Sequence, residues 1–91
     1  MTKRAERFWN KYVAKIEAVV EDYKQNPTKG DDARLSRGRI AKLRDEAKDL
    51  VLAMYNYGMI SDNEFDDLFQ PILFKALDAK DMIYDIEDSL F

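Results

Sequence analysis

The chain has 91 residues, 46% of them hydrophobic and 36% charged, with a net charge of −3 and neither Cys nor His. That composition predicts a single folded domain (1–91), because it is too apolar for a disordered chain and too short for two cores. Without Cys or His there is no disulfide, no thiolate nucleophile, no sulfur-ligated metal and no imidazole base, so a non-enzyme without metal or cofactor is expected.

Helical periodicity dominates from the start. Phe8, Tyr12, Ile16, Val19 and Tyr23 form one row and Trp9, Val13, Ile16 and Val20 another, which together predict an amphipathic helix over about 2–25. Asn26-Pro27-Thr28-Lys29-Gly30 should end it, since proline cannot continue the ladder and glycine admits unusual dihedrals. A second helix is predicted over about 33–57, starting somewhere between Asp31 and Ser36. Its seam should be Ile40, Leu43, Ala47, Leu50, Met54 and Tyr57, and Gly58 should stop it.

Ser61 followed by Glu64 fits a capping box, and Ile60 with Phe65 a hydrophobic staple, so a third helix should begin at 62. Its seam runs Phe65, Phe69, Ile72, Ala76, Ala79, Ile83, Ile86 and Leu90. Pro71 interrupts it, and a kink or break is expected there, dividing the segment into 62–69 and 71–89. The fold class is therefore all-α, a small bundle of three to four helices.

Charge is distributed unevenly along this frame. Residues 59–91 hold nine carboxylates against Lys75 and Lys80, whereas residues 1–58 hold thirteen Lys and Arg against nine acids. Asp78, Asp81, Asp85 and Asp88 recur at helical spacing, within about 80° of one another at 100° per residue. Asp67 and Phe74 join that stripe if the helix continues through Pro71. Carboxylates near a helix C-terminus oppose the macrodipole, and Asp81 repels Asp85, so local stability does not explain the row. At the other end of the chain, Lys3, Arg4 and Arg7 oppose the dipole of the first helix, and Arg4, Lys11 and Lys15 line one edge of it. Both misfits would vanish if the two ends met, which requires a fourth helical leg or a homodimer.

The partner-binding residues expected from this pattern are Phe74, Leu77, Asp78, Asp81, Asp85 and Asp88. They form an apolar and acidic face for a basic protein surface, including one that binds nucleic acid and is met by mimicry of its backbone. A small cytoplasmic regulator, adaptor or inhibitor, of the kind viruses and mobile elements encode, fits that expectation, although no motif specifies it. The alternative is direct nucleic-acid binding by Arg34, Arg37, Arg39, Lys42 and Arg44. A third possibility is a purely structural homo-oligomer. Asp62-Asn63-Glu64-Phe65-Asp66-Asp67 has the acidity of a calcium loop but lacks its glycine and its later bidentate Glu. No segment is apolar enough to span a membrane.

Overall fold

The computed structural model describes residues 3–28 and 30–90, with the side chains of Arg4 and Ala5 excepted. Three helices account for it: α1 (Lys3–Gln25), α2 (Asp31–Asn56) and α3 (Asp62–Ser89), each packed on both of the others. Thr2 and Lys29, which belong to the expected first helix and first turn, lie outside the described residues.

Each junction follows from local chemistry. Tyr23 donates its hydroxyl to the Thr28 carbonyl at 2.8 Å, which fastens the chain just past α1. Gly30 takes φ 80°, a left-handed value suited to glycine, and its carbonyl accepts from Arg34 N–H to start α2. At the other end of α2, Gly58 (φ 73°) donates to Tyr55 O and Met59 donates to Met54 O. This paired closure is a Schellman motif. Two residues later the capping box is present: Ser61 Oγ accepts from Glu64 N–H, and Glu64 Oε1 accepts from Ser61 N–H.

The core consists of one long seam and a second apolar cluster at one end. Tyr12, Ile16, Val19, Val20 and Tyr23 of α1 meet Ala33, Ile40 and Ala47 of α2 and Ile72, Ala76, Ala79 and Ile83 of α3. Val51, Ile60 and Leu68 close the far end, with Phe8, Phe65 and Phe69 packed against them, so Ile60 and Phe65 share one cluster as a staple requires.

Two expectations about the seams need correction. Leu50 and Tyr57 are 46% and 84% exposed, and Val51 takes the buried place instead. A 3-4 repeat drifts about 20° per heptad on a straight helix, so the seam of α2 slides from Leu50 to Val51 by its last turns. Leu90 is likewise exposed at the end of α3.

The larger correction concerns Pro71. Residues 62–89 form one helix with Pro71 inside it, not two helices separated there. Proline removes the N–H that would reach Asp67 O and costs about 3 kcal/mol in a helix interior. Asp67 lies on the solvent side, where water can satisfy its carbonyl. Leu68 is buried before the fault, with Phe65 and Phe69 packed beside it, and Ile72, Ala76, Ala79 and Ile83 are buried after it, all against the same two helices. Each buried Ile or Leu contributes roughly 1.5–3 kcal/mol. Burial of both halves in a common seam outweighs the lost hydrogen bond.

Three legs place the termini at opposite poles. Phe8, near the start of α1, packs with Val51, Ile60 and Leu68, near the start of α3. Glu87, near the end of α3, accepts from Gly30 N–H at the first turn. The basic start and the acidic end of the chain therefore do not meet within one molecule, contrary to the four-leg expectation.

Replacing Pro71 by Ala restores a donor to Asp67 O in an already helical backbone. Urea denaturation should show P71A stabilised by about 1–3 kcal/mol. An unchanged or lowered midpoint would mean that the backbone at 71 is not helical.

Candidate partner-binding surface

Because α3 is continuous, its outward face is one unbroken stripe opposite the buried seam. Phe74 is 59% and Leu77 47% exposed, and Asp67, Asp78, Asp81, Asp85 and Asp88 are exposed around them. All six residues expected to bind a partner therefore share one face. Phe74 also borders a shallow depression of about 350 Å³ with Asp66, Asp67, Gln70 and Pro71. None of the ion pairs of the described residues includes an aspartate of this stripe.

The carboxylate of α3 that does find a cation is Glu87, which the sequence did not single out. Its side chain and that of Arg37 are 18% and 15% exposed, with Arg37 Nη1 donating to Glu87 Oε1 at 3.1 Å. The other oxygen, Oε2, accepts from Gly30 N–H at 2.9 Å. The guanidinium of Arg37 also lies 4.0 Å from the ring centroid of Tyr84, so a cation–π contact completes the clasp. An acid that opposes the dipole of its own helix C-terminus is here favourable to the N-terminus of α2. The clasp joins the first turn, α2 and α3.

Arg37, one of the five basic residues of the alternative nucleic-acid reading, is thereby engaged within the molecule. The remaining four are scattered around α2, three of them beside carboxylates. Arg34 pairs with Asp31 at 3.1 Å, Arg39 approaches Asp22 at 3.9 Å, and Arg44 pairs with Asp45 at 3.1 Å. Lys42 is exposed on the side facing α1. They do not form one face. A second cross-link, Lys75 Nζ to Glu17 Oε1 at 2.9 Å, ties α3 to α1.

Titration adds one property of the clasp region. Burial raises the pKa of Tyr23 above its ordinary 10.0; Glu87 and Asp32 raise it further and Arg37 opposes them. Burial, then Glu46, raises Tyr12 in the same direction. The Asp62 carboxylate accepts from Tyr55 and raises its pKa also. Among the described residues no group of three His, Cys, Asp or Glu side chains could hold a metal, and no helix is long and apolar enough to cross a membrane. The acids at 62 and 64 serve the start of α3, not a calcium loop.

No protein-family model, curated protein or solved structure matches the chain. The surface must be read from its own chemistry.

Glu87→Ala would leave the Gly30 N–H and a largely buried guanidinium without their acceptor, a loss of about 2 kcal/mol measurable by urea denaturation. Alkaline pH should act on the same region. The folded protein keeps Tyr23 and Tyr12 protonated beyond 10.0, so the unfolded chain releases those protons first. Stability should stay flat below about pH 10 and fall as pH rises through the folded-state values. Urea midpoints equal at about pH 8 and pH 11 would contradict this.

Proposed function

We propose that the protein is a non-catalytic binding module whose outward α3 face docks onto a basic protein surface. One observation carries the reading: Phe74 and Leu77 are exposed in the middle of a row of carboxylates that no cation of the described residues neutralises. A large aromatic residue held in water gains stability when a partner covers it, and a charged rim steers a partner of opposite sign. The spacing of Asp78, Asp81, Asp85 and Asp88 along one face suits a row of Lys or Arg, including a surface that otherwise binds a nucleic-acid backbone. A regulator or inhibitor acting inside the cell by occupying such a surface is the role this favours. Direct nucleic-acid binding has less support, because Arg34, Arg37 and Arg44 already pair with carboxylates and the remaining cations, Arg39 and Lys42, do not share their face.

The test uses cross-linking and capture from the source cells with wild type, Phe74→Asp and the double variant Asp81→Lys plus Asp85→Lys. All three should have equal helix content, because these positions are solvent-facing. Wild type should retain a basic protein that both variants lose. Equal capture by all three proteins would remove this face from the function. Capture of nucleic acid, lost on Arg39→Glu plus Lys42→Glu, would move the function to α2.

A further inference from the structure

A second surface complements the first. Between α1 and α2 lies a groove of about 490 Å³, lined by Lys15, Ala18 and Val19 from one helix and Arg39, Lys42, Leu43 and Glu46 from the other. Ala18 and Leu43 supply apolar surface over the buried Val19, while Lys15, Arg39 and Lys42 supply positive charge.

These cations have spare capacity. None of the ion pairs of the described residues involves Lys15 or Lys42, and Arg39 reaches Asp22 only at 3.9 Å from an exposed position. Lys15 lies 5.5 Å from the centroid of the Tyr12 ring, and Lys11, one turn earlier, 5.8 Å from it, so both ammonium groups are held on the same side of α1. Glu46 is the single acid of the groove lining.

The groove suits an acidic helix bearing an aromatic side chain, and the chain itself presents one. The charges are complementary. In α3, Phe74 precedes Asp78 by one turn and Asp81 by two, a span of about 10 Å. A phenyl ring seated on Ala18 and Leu43 would set the neighbouring aspartates along a wall of Lys and Arg. We infer that the groove between α1 and α2 receives the Phe74–Asp85 face of a second copy of this chain. The inference rests on the binding role given above to the α3 face, and identifies one occupant for it.

Topology then dictates the form of the assembly. In a three-helix bundle the groove between α1 and α2 points away from α3, so the two complementary surfaces lie on opposite sides of each molecule. A two-fold dimer needs both surfaces at one interface and cannot use this pair. The contact is heterologous, and it extends head to tail as concentration rises. A basic partner that takes the α3 face would cap the growing end, so self-assembly and partner capture exclude one another.

Sedimentation of complementary variants tests this. One variant carries Lys15→Glu, Arg39→Glu and Lys42→Glu, which spoils the groove and leaves the α3 face. The other carries Phe74→Asp, Asp81→Lys and Asp85→Lys, which does the reverse. Wild type should grow in mass with concentration beyond a dimer, and raising the salt from about 0.05 M to about 0.5 M should weaken it at least tenfold. Each variant alone should stay at the 10.7 kDa of one chain, and their equimolar mixture should give a complex of one copy of each. Circular dichroism first verifies that both fold, and the single changes Lys42→Glu and Phe74→Ser replace any triple variant that does not. A wild type that remains monomeric, one that stops at a closed dimer, or a mixture that fails to associate would each overturn the inference. The cell-capture experiment can still succeed when this one fails, so the two outcomes are separable.

Discussion

The burial of α3 along its whole length against both other helices is the constraint from which the remaining features follow. Leu68, Ile72, Ala76, Ala79 and Ile83 are all nearly inaccessible, and they straddle Pro71. The seam offers each half of the helix the same two neighbours, and separating the halves would expose one of them. A single missing backbone hydrogen bond on the solvent side is the smaller loss. Once α3 runs unbroken, the bundle has three legs and the poles of the chain are determined.

Two consequences reach the surface. The end of α3 arrives beside the start of α2, where Glu87 meets Arg37 and the Gly30 amide. One acid of the acidic third is thereby used internally. The exposed aspartates find no such use, because their face points away from both neighbours. Asp67 joins Phe74 and the later aspartates only because the helix keeps its phase across Pro71. The cations of α1 and α2 that could have answered them, Lys15, Arg39 and Lys42, border a groove on the opposite side of the molecule. The charge asymmetry along the sequence thus becomes an asymmetry between two faces, with neither satisfied internally.

Much of the fold was legible because its signals are local. The apolar rows of α1, the Gly58 stop, the Ser61–Glu64 box and the common face of Asp78, Asp81, Asp85 and Asp88 all depend on spacings of four residues or fewer. What could not be read depends on comparison between distant terms. Whether Pro71 breaks the helix turns on how much apolar surface both halves bury elsewhere, which no local pattern contains. The exclusion of Leu50 and Tyr57 depends on a gradual drift of phase along α2. Arg37 and Glu87 are fifty residues apart, each at the edge of its own seam, and only the path of the chain brings them together. Their positions bordering apolar rows were the available sign, shared with several other charges that remain in water.

The most direct test of this account is the length of α3 itself. Asn63 and Asp88 both lie on its outward face, and the absence of native Cys allows one spin label at each through Asn63→Cys plus Asp88→Cys. A continuous helix separates the two backbone positions by about 37 Å at 1.5 Å per residue, and pulsed electron spin resonance should return a single distance distribution near that value. A principal distance below about 25 Å would mean that the chain folds back at Pro71, since a helix of this length cannot shorten so far without breaking. The continuous burial of α3 and the placing of the two termini at opposite poles would then be lost together.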